Sequence, residues 1–357
     1  MPRPETALIF HRGFIGSAGL WSMRPAALCA VILLAACSPD PADILMPAGD
    51  IKPPSVIEAG QRGPGEFRIL FDEDVQPVEG CFSFEPEDIL ALPSSDGGLL
   101  TIALEPAAGA GEACSLLGEA RDASGNTTRF LFSFVAYNEN PAILRLNEVQ
   151  TGKNSSASNS HRDYMEFTVE EGGNLGGIQV QWASSVKVMS YSFPPCEAAS
   201  GSVIVLHCAP EGSASEKDET GSDLSASGGI DSSASGRDFW TGAGGIPDET
   251  GLALVRLREG EAPMDALLFA SSGKSGAIDS PKLIGLLGEM TEEGLWPLSE
   301  PPLWEEGFRW KASASKPLHR KREGDCGPDQ WEVGESGSQS PGRADAGLTG
   351  GAAKRRK

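Results

Sequence analysis

Basic charge is scarce in this sequence, in which 29 Lys and Arg face 50 Asp and Glu for a formal charge of -21 and a pI near 4.6. Surfaces that hold nucleic acid do so through Lys and Arg against phosphates, so no nucleic-acid partner is expected, and the acidity favours solubility. Long apolar runs are missing too. The only strongly apolar stretch, residues 26–36, is about ten residues long, well short of the ~20 that cross a bilayer. Helical periods are few, whereas 26 prolines and 44 glycines imply many short strands and turns, so an all-β protein is expected. The signatures of common chemistries are absent as well. There is no P-loop, no Gly-x-Gly-x-x-Gly, no His-Glu-x-x-His and no Gly-x-Ser-x-Gly. No Cys-x-x-Cys occurs, and the adjacent His207-Cys208 is a poor pair of ligands, so neither zinc nor any cofactor is expected.

What is present begins at the N-terminus. Arg24 followed by the apolar run and small residues has the layout of a secretory signal, and Met23 heads an ordinary short version of it. Leu34-Ala35-Ala36-Cys37 closely resembles the lipobox of bacterial lipoproteins. That resemblance implies a signal peptide over 1–36, cleavage before Cys37, and acylation of its thiol. Burial of acyl chains at ~0.8 kcal/mol per CH₂ would then hold a soluble chain on a membrane. A plain secretory signal followed by a chance cysteine is the alternative.

Residues 37–55, with Pro39, Pro41, Pro47, Pro53 and Pro54, read as a lipidated tether. Alternation then sets in at Phe67, Ile69 and Phe71, continues at Leu100, Ile102 and Leu104, and returns at Phe130, Phe132 and Phe134. Period two means strands with one buried face. Asp122-Ala-Ser-Gly-Asn126 between two such strands is a hairpin turn. Phe67 to Val75, with Gly118 to Thr128 and the aromatic strand after it, resembles a bacterial Ig-like domain over 56–138, which implies a spacer or contact module. Asp72, Glu73, Asp74 and Asp122 are either solvated turn residues or calcium ligands, and without an EF-hand-type loop the first reading is preferred, so no metal is expected.

Beyond the polar break at 138–141 a second resemblance spans 139–345. Ile143 to Val149, Asp163-Tyr-Met-Glu-Phe167, Asn174-Leu-Gly-Gly177, Tyr191-Ser-Phe-Pro194, Gly201 to Leu206, Asp248 to Leu252 and Asp265 to Phe269 follow the order of the lamin-tail domain. Tyr164 stands where that family has tryptophan, a second family tryptophan is lost at Gly177-Ile178, and Trp182 is placed to compensate. Leu318 to Lys321, Asp329-Gln-Trp331 and Ser340 to Ala344 resemble the family's closing segment, with its arginine-bearing strand and final Pro-Gly turn. Together the two resemblances imply two tandem Ig-like β-sandwiches after a lipoprotein signal peptide. Two stretches exceed such a sandwich and read as insertions. Residues 211–237 are rich in Ser, Gly and Asp, with too little apolar surface to order themselves. Residues 271–309 carry Ser280-Pro281 ahead of Leu283, Leu286, Leu287 and Met290, the spacing of a capped amphipathic helix. Trp296, Trp304 and Trp310 either pack over the sandwich or form an exposed contact surface. His319 to Arg322 and the tail at 346–357 are the dense basic clusters, the tail reading as a solvated end, with contact to an anionic headgroup or polymer as the alternative.

Beyond the signal and Cys37 five cysteines remain. Export allows disulfides to persist, and proximity within each domain suggests Cys81 with Cys114 and Cys196 with Cys208, at ~2–4 kcal/mol each, leaving Cys326 over. Glu148, Asp163 and Glu166 are carboxylates on strands, but the lamin-tail resemblance implies that they serve the fold's own hydrogen bonding. His161, His207 and His319 have no nucleophile motif to serve. No catalytic residue is therefore assigned, and no enzyme is expected. The expectation is a lipid-anchored envelope protein, periplasmic or surface-exposed, whose outer domain binds or scaffolds an envelope protein or glycan. The alternatives are an accessory or degenerate hydrolase-associated protein and a surface adhesin.

Overall fold

Alternation becomes strand throughout the computed structural model, which describes residues 50–151, 161–257, 261–311, 313, 315–321 and 326–343. The signal peptide, Cys37, most of the tether, Arg322 and the tail at 346–357 lie outside the described residues. Strand makes up 42% and helix 7%, so the expected all-β class is correct. No helix among the described residues is long and apolar enough to cross a membrane. The chain divides into two compact units, Met1–Ala107 with Ser115–Phe132, and Ala108–Cys114 with Ser133–Lys357.

The first unit is built on β1 (Val56–Gly63), β2 (Glu66–Phe71), β3 (Gln76–Pro77), β4 (Ser83–Glu85), β5 (Leu90–Asp96), β6 (Leu99–Glu105), β7 (Ala113–Arg121) and β8 (Thr127–Val135). One sheet has the order β1-β2-β6-β5; the other runs β3-β7-β4 with β8 also on β7. Phe67, Ile69 and Phe71 of β2 and Leu100, Ile102 and Leu104 of β6 are buried as their period requires. Phe130 and Phe132 close the sandwich over them, with Phe67–Phe132 centroids 5.5 Å apart and Phe71–Phe130 6.3 Å. Gly118 leaves room for this packing, because a Cβ there would lie 2.6 Å from the Phe130 ring. The expected hairpin turn is present. Asp122 donates its amide to the Asn126 carbonyl at 3.0 Å, and Gly125 takes the left-handed φ of 94° that glycine tolerates.

The second unit contains β9 (Ile143–Gln150), β10 (Tyr164–Glu171), β11 (Gly173–Asn174), β12 (Gln179–Ala183), β13 (Val188–Ser192), β14 (Glu197–Ala198), β15 (Val203–His207), β16 (Arg237–Trp240), β17 (Thr250–Arg256), β18 (Pro263–Ala270), α1 (Pro281–Glu292), β19 (Phe308–Arg309), β20 (Leu318–Arg320) and β21 (Trp331–Val333). A six-stranded sheet, β16-β15-β10-β9-β20-β21, faces a five-stranded one, β13-β12-β17-β18-β19, across a shared core. Trp182 is fully buried in that core and donates its indole N–H to the Gly244 carbonyl at 3.1 Å. Helix α1 buries Leu283, Leu287 and Met290, each worth ~1.5–3 kcal/mol, and leaves Leu286 partly covered. Ser280 stands at its N-cap but caps nothing, since its hydroxyl goes instead to the Ser185 carbonyl at 2.9 Å. Trp296, Trp304 and Trp310 are buried, so packing rather than exposure is their role.

Two expectations need correction. Residues 211–237 are ordered after all, by polar rather than apolar contacts. The Glu216 carboxylate accepts the amides of Glu211, Gly212 and Ser213 at 2.7–2.9 Å, and buried Glu219 takes those of Ser227 and Asp238 at 2.9 Å. Cysteine pairing is the second. All five described cysteines are free thiols. Cys208 follows the His207 end of β15 and donates its amide to Asp163, whereas Cys196 lies by Leu175, beyond the Val203 end. Within the basic cluster at 319–322, Arg320 is buried and Lys321 is exposed.

Arg320 belongs to a clamp joining the two sheets. Asp265 of β18 accepts the Arg320 Nη2–H at 2.5 Å and the Leu146 amide of β9 at 2.8 Å, while Arg320 donates Nε–H to the Leu146 carbonyl at 2.6 Å. The guanidinium also lies 4.7 Å above the Trp331 ring. Removing one member of such a pair strands a buried charge. Asp265→Ala is expected to lose ~3–5 kcal/mol in urea unfolding, and adding Arg320→Met is expected to recover part of it. A double variant at least as unstable as the single one would show that the two charges are not coupled.

Candidate functional site

Acid–base chemistry needs a carboxylate that a substrate can reach, so the carboxylates on β9 and β10 are the first place to look. Glu148 and Glu166 are register partners across this strand pair, and both are fully buried. Two like charges side by side in a sheet centre are tolerable only if each is fully hydrogen-bonded. Glu148 accepts the Tyr164 hydroxyl, the Ser340 amide at 3.2 Å and the Ser340 hydroxyl at 2.7 Å, with His319 Nδ1 at 3.6 Å. Glu166 accepts the Asn147 side-chain amide at 2.7 Å and the Gly342 backbone amide at 2.8 Å. A strap at residues 338–343 thus lies over both acids. Gly342 has a φ of 71°, and a Cβ on it would lie 2.3 Å from Ser233, so a glycine is required where the strap turns.

Burial pushes the Glu148 carboxyl above the ordinary glutamate value, and the Tyr164, His319 and Ser340 partners only partly offset it. Tyr164 is pushed well up by its own burial and by the Glu148 charge. The pair is chemically unusual and closed to substrate. That supports a structural role for Glu148 and Glu166. Asp163, the third carboxylate singled out, holds the Ile246 amide at 2.8 Å and anchors the 242–246 loop.

The imidazoles fare no better. His207 is fully buried, bonded to Asp238 at 2.9 Å through Nε2 and stacked 3.8 Å from the Trp240 ring. His161 Nδ1 meets Asp231 at 2.5 Å, and the same carboxylate takes the Arg162 amide at 2.7 Å. Asp231 holds this position at a left-handed φ of 69°, strain that the two bonds repay. Among the described residues no serine, threonine or cysteine is bonded to the His161 or His207 ring, whereas the partly buried His319 has Ser338 Oγ 3.2 Å from Nε2 and the sealed Glu148 carboxylate 3.6 Å from Nδ1. Sequence reasoning named the strand acids but missed Asp231, Asp238, Glu219 and the strap, whose roles depend on residues 70 to 192 positions away in the longest cases.

Of the four turn acids in the first unit, Glu73 and Asp122 come together with Asp50, their oxygens within 4.8 Å. Burial pushes Glu73 up first, and the neighbouring Asp122, Asp50 and Asp72 charges push further. Asp122 is already satisfied by the Asn126 amide at 2.8 Å and side chain at 2.7 Å, and Asp72 is paired with Lys52 at 2.6 Å. Such bonding suits turn residues.

A cleft of about 600 Å³ opens at the Val203 end of the six-stranded sheet, where the 211–237 segment overhangs β14 and the start of β15. Arg237 lines it and gives its guanidinium to the carbonyls of Glu219, Gly221 and Glu197.

Among known proteins, a family model described as TP_1001_2nd, protein second domain, matches residues 142–333. An uncharacterized protein of Treponema pallidum (strain Nichols) is 30% identical over 161 residues, which are 44% of this chain and 39% of that protein. The chain therefore spans about two-fifths of the length of the relative it matches. Two solved structures are partly similar. The N-terminal part of the bacterial S-layer protein SbsC is 13% identical with a TM-score of 0.22, over 61% of this chain and 44% of that one. Dimeric latent PorU from Porphyromonas gingivalis is 14% identical with a TM-score of 0.17, over 62% and 20%. At such TM-scores neither likeness bears on function.

The raised Glu148 carboxyl makes stability depend on pH. A group that binds its proton more tightly when folded stabilises fully below its unfolded value, 4.5, and loses that contribution as pH rises through the folded value. The thermal midpoint of the wild type is therefore expected to fall with rising pH above about 4.5 relative to Glu148→Gln, which lacks the titration. Parallel pH profiles would show that Glu148 ionises as freely folded as unfolded.

Proposed function

The chain belongs to the family of that second-domain model, and from its sequence and the burial of its strand acids we propose that it is a lipid-anchored lipoprotein of the bacterial cell envelope whose second unit is a noncatalytic binding or scaffolding module. In this reading Cys37 carries the acyl chains, residues 37–55 tether the chain and the first unit is a spacer. The second unit, lamin-tail-like in its motif order, presents loops on a rigid sandwich to an envelope protein or glycan, as binding loops commonly are. The observation that carries the noncatalytic part is the sealing of Glu148 and Glu166 beneath the 338–343 strap. Both carboxylates are fully buried and bonded to the strap, so a substrate has no open approach to either. The envelope location rests on the residues at 24–37, which read as a secretory signal ending in a lipobox.

Crosslinking in whole envelopes tests both parts at once. The full chain is expected in the membrane fraction, joined to a partner that is lost when residues 139–345 are deleted. Cys37→Ser is expected to release the protein to the soluble fraction. Capture unchanged by the deletion would contradict the binding module, and membrane retention of Cys37→Ser would contradict the anchor.

A further inference from the structure

The cleft at the Val203 end of the six-stranded sheet carries a cation that the fold does not neutralise. Arg237 is half-buried there in a chain of formal charge -21, yet among the described residues it makes no ion pair. Its partners are three neutral carbonyls, Glu219 and Gly221 through Nη1 and Glu197 through Nη2 at 3.4 Å. A guanidinium has five N–H donors, so Nε–H and one Nη2–H remain without a partner among the described residues. Two such donors can grip a carboxylate by both oxygens, the strongest pairing open to arginine. The Glu197 carboxylate, which also lines the cleft, accepts the Asn174 side-chain amide at 2.8 Å and forms no ion pair with Arg237 among the described residues.

The rest of the wall sets the other half of the ligand. Leu224, Val203 and Ala198 supply aliphatic surface, Ser222 and Ser235 supply hydroxyls, and no aromatic ring lines the cleft for a sugar to stack on. Its volume of about 600 Å³ lies within the usual range of small-molecule sites, ~300–1,000 Å³. We propose that this cleft binds a small aliphatic carboxylate, its acid group on the free edge of Arg237 and its apolar part against Leu224 and Val203. A peptide C-terminus with small side chains and a short acyl chain share that chemistry. The inference rests on the reading of the second unit as a binding module and names the ligand class of one site on it.

Amide ¹H–¹⁵N spectra of the full chain test it, titrated with N-acetyl-Ala-Ala, with the same peptide as its C-terminal amide, and with octanoate. At least one of the two carboxylates is expected to shift the Gly172, Gly173 and Ser235 amides, and the tighter of them identifies the source. The amidated peptide is expected to bind at least tenfold more weakly than its acid if the peptide is the source. Arg237→Gln is expected to abolish the shifts. Should that variant fail to fold, Leu224→Trp fills the cleft while leaving the Arg237 carbonyl bonds in place, and it too is expected to abolish them. No shift at millimolar ligand, equal shifts from acid and amide with none from octanoate, or unchanged binding by Leu224→Trp would overturn the assignment. A partner still captured by residues 139–345 after such a result would leave the binding module standing and remove only this ligand.

Discussion

Taking a charge out of water costs several kcal/mol, and the second unit of this chain is organised around meeting that cost at Asp265 and Arg320. Asp265 sits on β18 in one sheet, and its carboxylate reaches the backbone of β9 in the other; Arg320 completes the loop by bonding the same stretch of β9. Two sheets that could otherwise slide across an aliphatic core are thereby pinned at one register. Arg145, on the same strand, is pushed above its ordinary value by its bonds to Glu170 and the Asp265 charge against the opposing effect of burial.

The same constraint explains why acids that look like machinery act as mortar. Glu148, Glu166, Asp238 and Glu219 are all buried, and their bonds tie separate pieces of chain to the outer face of the six-stranded sheet. An acidic chain with little apolar surface in its long loops can still order them, because a carboxylate accepting two or three amides replaces water about as well as a packed side chain replaces it. Residues 211–237 follow this rule through Glu216 and Glu219. The Arg237 cleft is a surface that this network leaves open.

Much of the fold was legible because it follows local periods. The alternation at Phe67, Ile69 and Phe71, the turn at Asp122 to Asn126 and the i, i+3, i+4, i+7 pattern after Pro281 each became the expected element. Asp163, Asp265 and Arg320 were also singled out by motif order, although their partners were not. The rest was hidden for a physical reason. A buried polar bond between Glu148 and Ser340 leaves no periodic mark on the sequence, and serine, glycine and acid read as loop whether the loop is solvated or pinned. The described cysteines are free thiols, which closeness along the chain between Cys196 and Cys208 did not reveal.

The central claim is that the Glu148–Glu166 pair is permanently covered and therefore structural. Hydrogen exchange at the Ser340 and Gly342 amides, which bond those two carboxylates, tests it most directly. The account predicts exchange as slow as that of the core amides of Leu206 and Phe269, so that opening requires unfolding of the unit. Fast, local exchange at the two strap amides would mean that the acids meet water in the native state, and would contradict the noncatalytic reading.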